Sequence, residues 1–144
     1  MILNVIKYNQ DQYNFLRRKC EDVQKQNPFL QKLIDDMFDT VESYDGVGLS
    51  APQIGKSLNL FIISLPDFKE VFINPEILPI GLEFENKEGC LSFPGLAFPV
   101  LRRQNVKVKY YDRNWAYHLT EFTEVKSMIV QHEFDHLKGK LILD

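Results

Sequence analysis

The segment that constrains this chain most is residues 131–136, which read Gln-His-Glu-Phe-Asp-His. In a helix, residues four apart lie on the same face, so the rings of His132 and His136 can bind one metal ion. Glu133, directly after the first histidine, is then placed to move the protons of a water molecule at the metal. The sequence therefore predicts a helix that carries an HExxH metal motif.

A third ligand of this site is expected upstream, because the sequence ends eight residues after His136. The longer zinc-protease motif HExxHxxGxxH needs a further histidine at a position where this chain has Ile142. The upstream candidates are Cys20, Cys90 and His118. Cys90 lies in a turn-rich segment between two strand-like runs, where a thiolate can complete a Cys/His/His site and leave a fourth position for water.

Length and composition are typical of one ordinary globular unit. A chain of 144 residues buries roughly 68–70% of its unfolded surface, so we expect residues 1–144 to form a single catalytic domain. The net charge is −3, with no basic tract, so neither nucleic acid nor a membrane is an expected partner. The longest apolar runs are too short to span a bilayer. Residues 1–7 lack a signal-peptide pattern, which favours a cytoplasmic location and free thiols.

An amphipathic helix is predicted near the N-terminus of the chain. It begins at Asn27-Pro28, since proline suits the first helical turn, and reaches about Tyr44. Its apolar residues recur at three- and four-residue steps; they are Leu30, Leu33, Ile34, Met37, Phe38 and Val41. Residues 45–48, which read Asp-Gly-Val-Gly, end the helix because glycine disfavours helical backbone.

The middle of the chain is predicted to form strands, and its end a helix. Five runs are rich in aromatic and aliphatic residues; they are 59–65, 70–74, 82–86, 106–112 and 116–122. Turns are predicted at 66–67, 74–75 and 112–114. Thr123 is expected to cap the final helix, with Glu124 in its first turn. The predicted fold class is α+β, with mainly antiparallel strands around a C-terminal metal-binding helix and an amphipathic N-terminal helix.

Three segments, in this order, resemble the signature motifs of the peptide deformylase family. They are residues 46–53, which read Gly-Val-Gly-Leu-Ser-Ala-Pro-Gln, residues 88–92, which read Glu-Gly-Cys-Leu-Ser, and residues 131–136. The resemblance implies metal-dependent hydrolysis of the N-formyl group from N-formylmethionyl peptides, with release of formate during the maturation of nascent proteins. It also implies one divalent metal ion, Fe²⁺ in the cell with Zn²⁺, Ni²⁺ or Co²⁺ as substitutes, and at most a transient contact with the ribosome.

By motif position, the resemblance implies that Cys90, His132 and His136 are the metal ligands. Glu133 would be the general base and then the proton donor to the departing amine. Both assignments suit the chemistry, because an amide is a poor electrophile and its nitrogen must not leave as a bare anion.

The resemblance further implies how the substrate is bound. Gln53 and the backbone N–H of Leu91 would hydrogen-bond the carbonyl oxygen that becomes negative, and losing one such donor typically costs about 2.7–4 kcal/mol. The peptide would lie along the edge formed by the glycine-containing segment, with its methionine in an apolar pocket. Gly46, Val47 and Gly48 of the matching segment are the implied substrate-binding residues. Val125, Met128 and Ile129 are added as pocket candidates because they share the side of the final helix that carries His132.

The chain also departs from the family pattern. Ser50 stands where alanine is commonest, and Glu124 stands where many relatives carry glycine. The C-terminal extension of many relatives is not present in this sequence, which leaves the mode of ribosome docking open. Glu88 is expected to brace its turn by pairing with an arginine such as Arg102 or Arg103.

Two other functions fit part of the pattern. The first is an HExxH metallopeptidase that cuts internal peptide bonds, which the missing downstream ligand disfavours. The second is a catalytically silent protein that binds formylpeptides, which needs neither Glu133 nor Gln53. The identity of the metal stays open, since a thiolate and two imidazoles suit several divalent ions.

Overall fold

The computed structural model describes residues 1–144 and confirms the predicted α+β class. Five antiparallel strands form one sheet in the order β1-β2-β3-β4-β5. The strands are β1 (Gly48–Ser50), β2 (Leu60–Leu65), β3 (Phe68–Cys90), β4 (Phe93–Tyr111) and β5 (Tyr117–Thr123). Each strand pairs with the next one along the chain, so tight turns are enough to connect most of the sheet.

Two α-helices, α1 (Leu30–Ser43) and α2 (Glu124–Leu137), accompany the sheet, together with short 3-10 helices at Asp11–Arg17 and Ala51–Ile54. Helix α1 begins two residues after Pro28 because Asn27 first closes a turn, its Oδ1 accepting the Phe29 N–H at 2.9 Å. Neither α-helix is long and apolar enough to cross a lipid bilayer.

Strand β2 is the centre of the core, because it is buried on both faces. Leu60 and Ile62 pack in the cluster that contains the apolar side of α1, whereas Phe61 and Ile63 pack in the cluster that contains Val130 of α2. Successive side chains of a strand point to opposite faces, so one strand serves both helices. Each fully buried side chain of this size stabilises the fold by about 1.5–3 kcal/mol.

The prediction of separate strands at 70–74 and 82–86 is wrong, because both belong to the continuous strand β3. The predicted turn at 74–75 is instead a register shift in the ladder between β3 and β4. Asn74 adopts a φ of 50° there, and its amide binds the backbone of Val23 at 2.7 and 3.1 Å. Asparagine tolerates this conformation, and a bulge accommodates the missing N–H of Pro75.

Strand β4 begins at Phe93 rather than at residue 106, because β3 and β4 form a long hairpin that reaches past the end of β5. Near the hairpin tip, Cys90 pairs with Phe93 while Glu88 pairs with Phe98. Residues 94–97 therefore protrude from the ladder as an enlarged bulge, and they form part of the cleft described below.

Helix α2 differs from its prediction at its N-terminus, and its buried side carries polar residues. Thr123 occupies the N-cap position, but its side chain makes no capping hydrogen bond. The buried side of the helix is not purely apolar, since Ser127, Gln131 and Glu133 are all buried. Gln131 accepts the N–H of Arg103 at 3.1 Å and donates to its carbonyl at 2.8 Å, which replaces strand pairing where β5 has ended.

Candidate active site

The three signature segments meet at a cleft of about 490 Å³ formed by the end of α1, β1, α2 and the tip of the β3–β4 hairpin. The predicted site residues that line it are Gly46, Val47, Gly48, Gln53, Cys90, Leu91, Met128, Ile129, His132 and Glu133. His136 is buried beside Cys90, with 2% of its surface exposed. Segments that are up to 90 residues apart in the sequence are thus assembled into one site.

Val125 is the one predicted pocket residue that does not line the cleft. It lies in the first turn of α2, one turn before Met128, and 58% of its surface is exposed. The helical spacing identified the correct side of α2, but the cleft does not extend as far as the beginning of the helix.

Cys90, His132 and His136 form a group that fits a metal ion. One ligand atom from each residue lies within 4.8 Å of the others, and Cys90 Sγ is 3.4 Å from His136 Nε2. A thiolate with two imidazole nitrogens is a donor set used by Zn²⁺ and by other first-row divalent ions. The other upstream candidates are not part of this group; His118, for example, binds Asp112 at 2.8 Å.

The ring of His132 is oriented by Glu88. Its Nδ1 lies 2.9 Å from Glu88 Oε1, and since a carboxylate only accepts, Nδ1 donates and Nε2 is left as the ligating atom. Glu88 also accepts from Arg102 Nε and Nη2 at 2.9 and 2.8 Å and from Asn86 at 2.9 Å. The expected arginine partner of Glu88 is therefore Arg102, and Arg103 does not take this role.

Arg102 extends the same network to α2, because its Nη1 donates to Asp135 Oδ2 at 2.7 Å. Burial by itself raises the pKa of Glu88, but the hydrogen bonds from His132, Arg102 and Asn86 outweigh burial and hold that pKa at about 2. Glu88 is consequently a fixed anion that keeps the imidazole of His132 in one orientation and one tautomer.

Glu133 is held in a different way. Its Oε2 is 3.9 Å from His132 Nε2, whereas its buried Oε1 has no hydrogen-bond partner in the protein. Burial raises the pKa of Glu133 to about 7, which suits a group that accepts and donates protons near neutral pH.

Gly48 allows the carboxylate of Glu133 to take this position. A Cβ atom added at Gly48 would lie 2.7 Å from Glu133 Oε2, so any other residue at this position would displace the carboxylate. The sequence indicated that Gly48 permits close approach of a peptide. The structure adds that it also makes room for the group that handles protons.

Both the oxygen and the nitrogen of the Gln53 side-chain amide make hydrogen bonds within the protein. Its Oε1 accepts the N–H and the hydroxyl of Ser50, both at 3.0 Å, and its Nε2 lies 3.1 Å from Ser92 Oγ and 3.4 Å from Cys90 Sγ. Sequence reasoning missed the contribution of Ser50 and Ser92. The pattern Ser-x-x-Gln at 50–53 is a capping box, and it could have indicated the contact with Ser50.

The comparisons with known proteins agree with this geometry. The sequence model of the family described as polypeptide deformylase matches residues 2–144. A peptide deformylase of Karelsulcia muelleri (strain GWSS) is 43% identical, with all of this chain and 78% of the relative covered. A peptide deformylase structure from Thermotoga maritima superposes with a TM-score of 0.92 at 37% identity, covering 100% of this chain and 97% of that one. A Met-Ala-Ser-bound class I type b enzyme from Acinetobacter baumannii superposes with a TM-score of 0.89 at 32% identity, covering 99% and 97%.

A relative at this level of identity over the full length, together with the match to the family model, settles the assignment. The chain belongs to the peptide deformylase family, and it is a metal-dependent hydrolase that removes the N-formyl group from N-formylmethionyl peptides of nascent proteins.

Proposed function

We propose that Cys90, His132 and His136 bind one divalent cation and that Glu133 transfers the protons of the hydrolysis, within one catalytic domain of residues 1–144. The observation that carries this proposal is the convergence of the three ligand atoms within 4.8 Å of one another, next to a buried carboxylate oxygen without a partner. When bound, the cation supplies Lewis-acid chemistry, which lowers the pKa of water and polarises a carbonyl.

Glu133 moves the proton in two steps. Its free Oε1 accepts a proton from water as the water oxygen forms a bond to the formyl carbon. The same carboxyl then donates that proton to the amide nitrogen as the C–N bond breaks, so that formate and a free amine are the products. A carboxyl with a pKa of about 7 can both accept and donate a proton readily near neutral pH.

Gln53 and the backbone N–H of Leu91 stabilise the oxygen that gains charge in the tetrahedral intermediate. The amide nitrogen of Gln53 is directed towards Cys90, and its oxygen is held by Ser50. Ser92 Oγ accepts one N–H of this amide at 3.1 Å, and the N–H directed at Cys90 Sγ, 3.4 Å away, is the one that turns to the oxygen. Because the rest of the amide is fixed, the donor moves little during the reaction, and such preorganised groups are effective.

The peptide substrate binds along the open edge of β1. This strand is at the end of the sheet and pairs only with β2, so Gly46, Val47 and Gly48 can pair with an added strand. The methionine side chain then enters the pocket formed by Val47, Met128 and Ile129. The related Acinetobacter baumannii structure is bound to Met-Ala-Ser, which supports a short methionyl peptide as the ligand.

The cation in the cell is Fe²⁺, and Zn²⁺, Ni²⁺ or Co²⁺ replaces it in purified protein, because thiolate and imidazole donors accept all four ions. The enzyme acts in the cytoplasm, where nascent chains are made. Its contact with the ribosome is transient, and we propose no direct nucleic-acid or membrane partner.

Metal content and formate release test this proposal together. Protein prepared without oxygen and loaded with iron or nickel is expected to contain one metal ion per chain and to release formate from a formyl-Met peptide, but no acetate from the acetylated counterpart. Cys90→Ser is expected to lose both metal and turnover. Full activity with an empty Cys90→Ser site would refute the ligand assignment. Tight formylpeptide binding without turnover would favour the silent binding protein, and digestion of casein would favour the metallopeptidase.

A further inference from the structure

The cleft contains a positively charged side chain that the hydrolysis does not use. Lys7 is the only lysine or arginine among the residues that line it. The residue is half-buried, and the ammonium makes a single hydrogen bond, at 3.3 Å, to the carbonyl oxygen of Val5. An ammonium that is partly removed from water and has no anionic partner attracts an anion that enters the same space.

The backbone at Lys7 is fixed beside the catalytic residues. The N–H of Ile6 donates to the carbonyl of Gln53 at 2.7 Å, and the N–H of Tyr8 donates to the carbonyl of Ser92 at 2.9 Å. These two acceptors belong to the segments that carry the proposed oxyanion donors. The position of Lys7 relative to the reacting centre is therefore set by the fold.

No carboxylate of the cleft neutralises Lys7. Glu88 is paired with Arg102, and Glu133 lies at the reacting centre next to a metal ligand. Asp45 is exposed at the turn after α1, where its φ is 53°. The anion that Lys7 attracts therefore comes from outside the protein, and the peptide substrate is the molecule that enters this cleft.

Apolar residues of the same cleft strengthen this attraction. Phe93, Pro94 and Leu96 line the same cleft. Pro94 and Leu96 belong to the protruding bulge at the tip of the hairpin, and Phe93 lies directly before it, where it pairs with Cys90. Leu96 is 40% exposed, so an apolar surface faces the path of a bound peptide. Apolar neighbours lower the local dielectric constant and increase the energy of a charge pair.

We propose that Lys7 is a specificity-determining residue, which binds a substrate carboxylate on one of the first two residues after the formylmethionine. This inference rests on the proposed function, in which the peptide extends through the cleft past Cys90. The carboxylate can come from an aspartate or glutamate side chain or from the C-terminus of a short peptide. Since the carboxylate belongs to a residue after the formylmethionine and not to the reacting amide, its contact is the same before and during the reaction, so it lowers KM and leaves kcat nearly the same for all peptides.

Formate release from a matched set of peptides tests the proposal. The set is formyl-Met-Asp-Ser-amide, formyl-Met-Ala-Asp-amide, their lysine counterparts, and formyl-Met-Ala-Ser as the amide and as the free acid. The expected preference in kcat/KM for the better acidic peptide over its lysine counterpart is about fivefold at low salt, the size of one partly exposed ion pair. The preference is expected to fall at about 0.5 M salt, where charges are screened.

Variants assign the preference to one side chain. Lys7→Gln is expected to remove it, and Lys7→Arg is expected to keep most of it. The matched control is Lys25→Gln, which makes the same change of charge at an exposed lysine outside the cleft and is expected to keep the preference in full.

Each outcome has a definite meaning. A preference that survives in Lys7→Gln, or that is equally lost in Lys25→Gln, overturns the proposal. A gain confined to the free-acid peptide supports the carboxylate site and assigns its ligand to the peptide terminus. If all peptides release formate with equal kcat/KM, the role of Lys7 is refuted and the proposed function is unaffected. If no peptide releases formate, the proposed function is refuted.

Discussion

Two glutamates lie on either side of His132, and their environments shift their pKa values in opposite directions. On one side, Glu88 accepts hydrogen bonds from His132, Arg102 and Asn86, and its pKa is about 2. On the other side, Glu133 Oε1 has no partner in the protein, and burial raises the pKa of this residue to about 7.

The difference shows that burial alone does not determine the role of a carboxylate. Both glutamates are buried, with 8% and 4% of their surfaces exposed. Glu88 is surrounded by donors and stays charged, so it can hold geometry but cannot exchange a proton near neutral pH. Glu133 lacks such donors, and its protonation state is therefore free to change during a reaction.

The strongest test of this comparison is Glu133→Gln. Glutamine keeps the size of the side chain but cannot take up a proton, so we expect kcat/KM to fall by about 1,000-fold, within the usual range for general acid–base catalysis. Formate release measures this loss. Metal content and melting temperature are the controls, and both are expected to stay near those of the parent protein. Wild-type turnover in this variant would exclude Glu133 from proton transfer.

The second test displaces Glu133 without changing it. Gly48→Ala introduces a Cβ atom 2.7 Å from Glu133 Oε2, so the carboxylate must move. A displacement of about 1 Å at a reacting group can cost about 100-fold in rate, and we expect a loss of this size in kcat with the metal retained.

The double variant shows whether Gly48→Ala lowers activity by displacing Glu133 or by disturbing the edge that binds the peptide. If Gly48→Ala acts through Glu133, it is expected to cause little further loss of activity in the Glu133→Gln background. An undiminished second loss would mean that Gly48 acts mainly on the peptide edge.

The third test addresses the geometric side of the comparison. Glu88→Gln removes the fixed negative charge next to His132 and leaves Arg102 with Asp135 as its one anionic partner. We expect about tenfold weaker metal affinity, the lower end of the usual effect for groups that orient a ligand, and a smaller change in kcat at saturating metal. Competition with a chelator measures the affinity.

A matched control for this variant is Glu85→Gln, at an exposed position on the same strand. It is expected to leave the metal affinity unchanged. Loss of affinity in both variants would point to a general effect of charge instead of the orientation of His132.

Much of the site could be predicted from the sequence because its spacing is local. The i, i+4 spacing of His132 and His136 fixes their common face, and the motif resemblance identified Cys90. Val125, predicted from the same helical repeat, is not among the residues that line the cleft, because such a repeat indicates a side of the helix but not how far a cleft extends along it. The contact between Gly48 and Glu133 joins residues 85 positions apart, and no local pattern indicates it.

The same distinction holds for the fold. The amphipathic repeat predicted the helix that forms α1, and the turns at 66–67 and 112–114 fall between strands as expected. Residues 74–75 have the composition of a turn, but they form a bulge because Asn74 binds Val23, which is 51 residues away. Long-range hydrogen bonds of this kind override local preference.

The smallest expected effect concerns a glutamate of α2 that belongs to neither side of the comparison. Glu124 has a φ of 54°, a left-handed conformation that costs a non-glycine residue about 1–2 kcal/mol. Glu124→Gly removes this backbone strain, but part of the gain in stability is offset by the greater conformational freedom of glycine in the unfolded chain. We therefore expect a gain of about 0.5–1 kcal/mol in unfolding free energy, as measured by thermal and urea denaturation, and no change in kcat.

Glu124→Ala is the matched control, because it removes the charge and keeps the Cβ atom. Equal stabilisation by both variants would trace the effect to the carboxylate, whereas a gain confined to glycine would assign it to backbone strain.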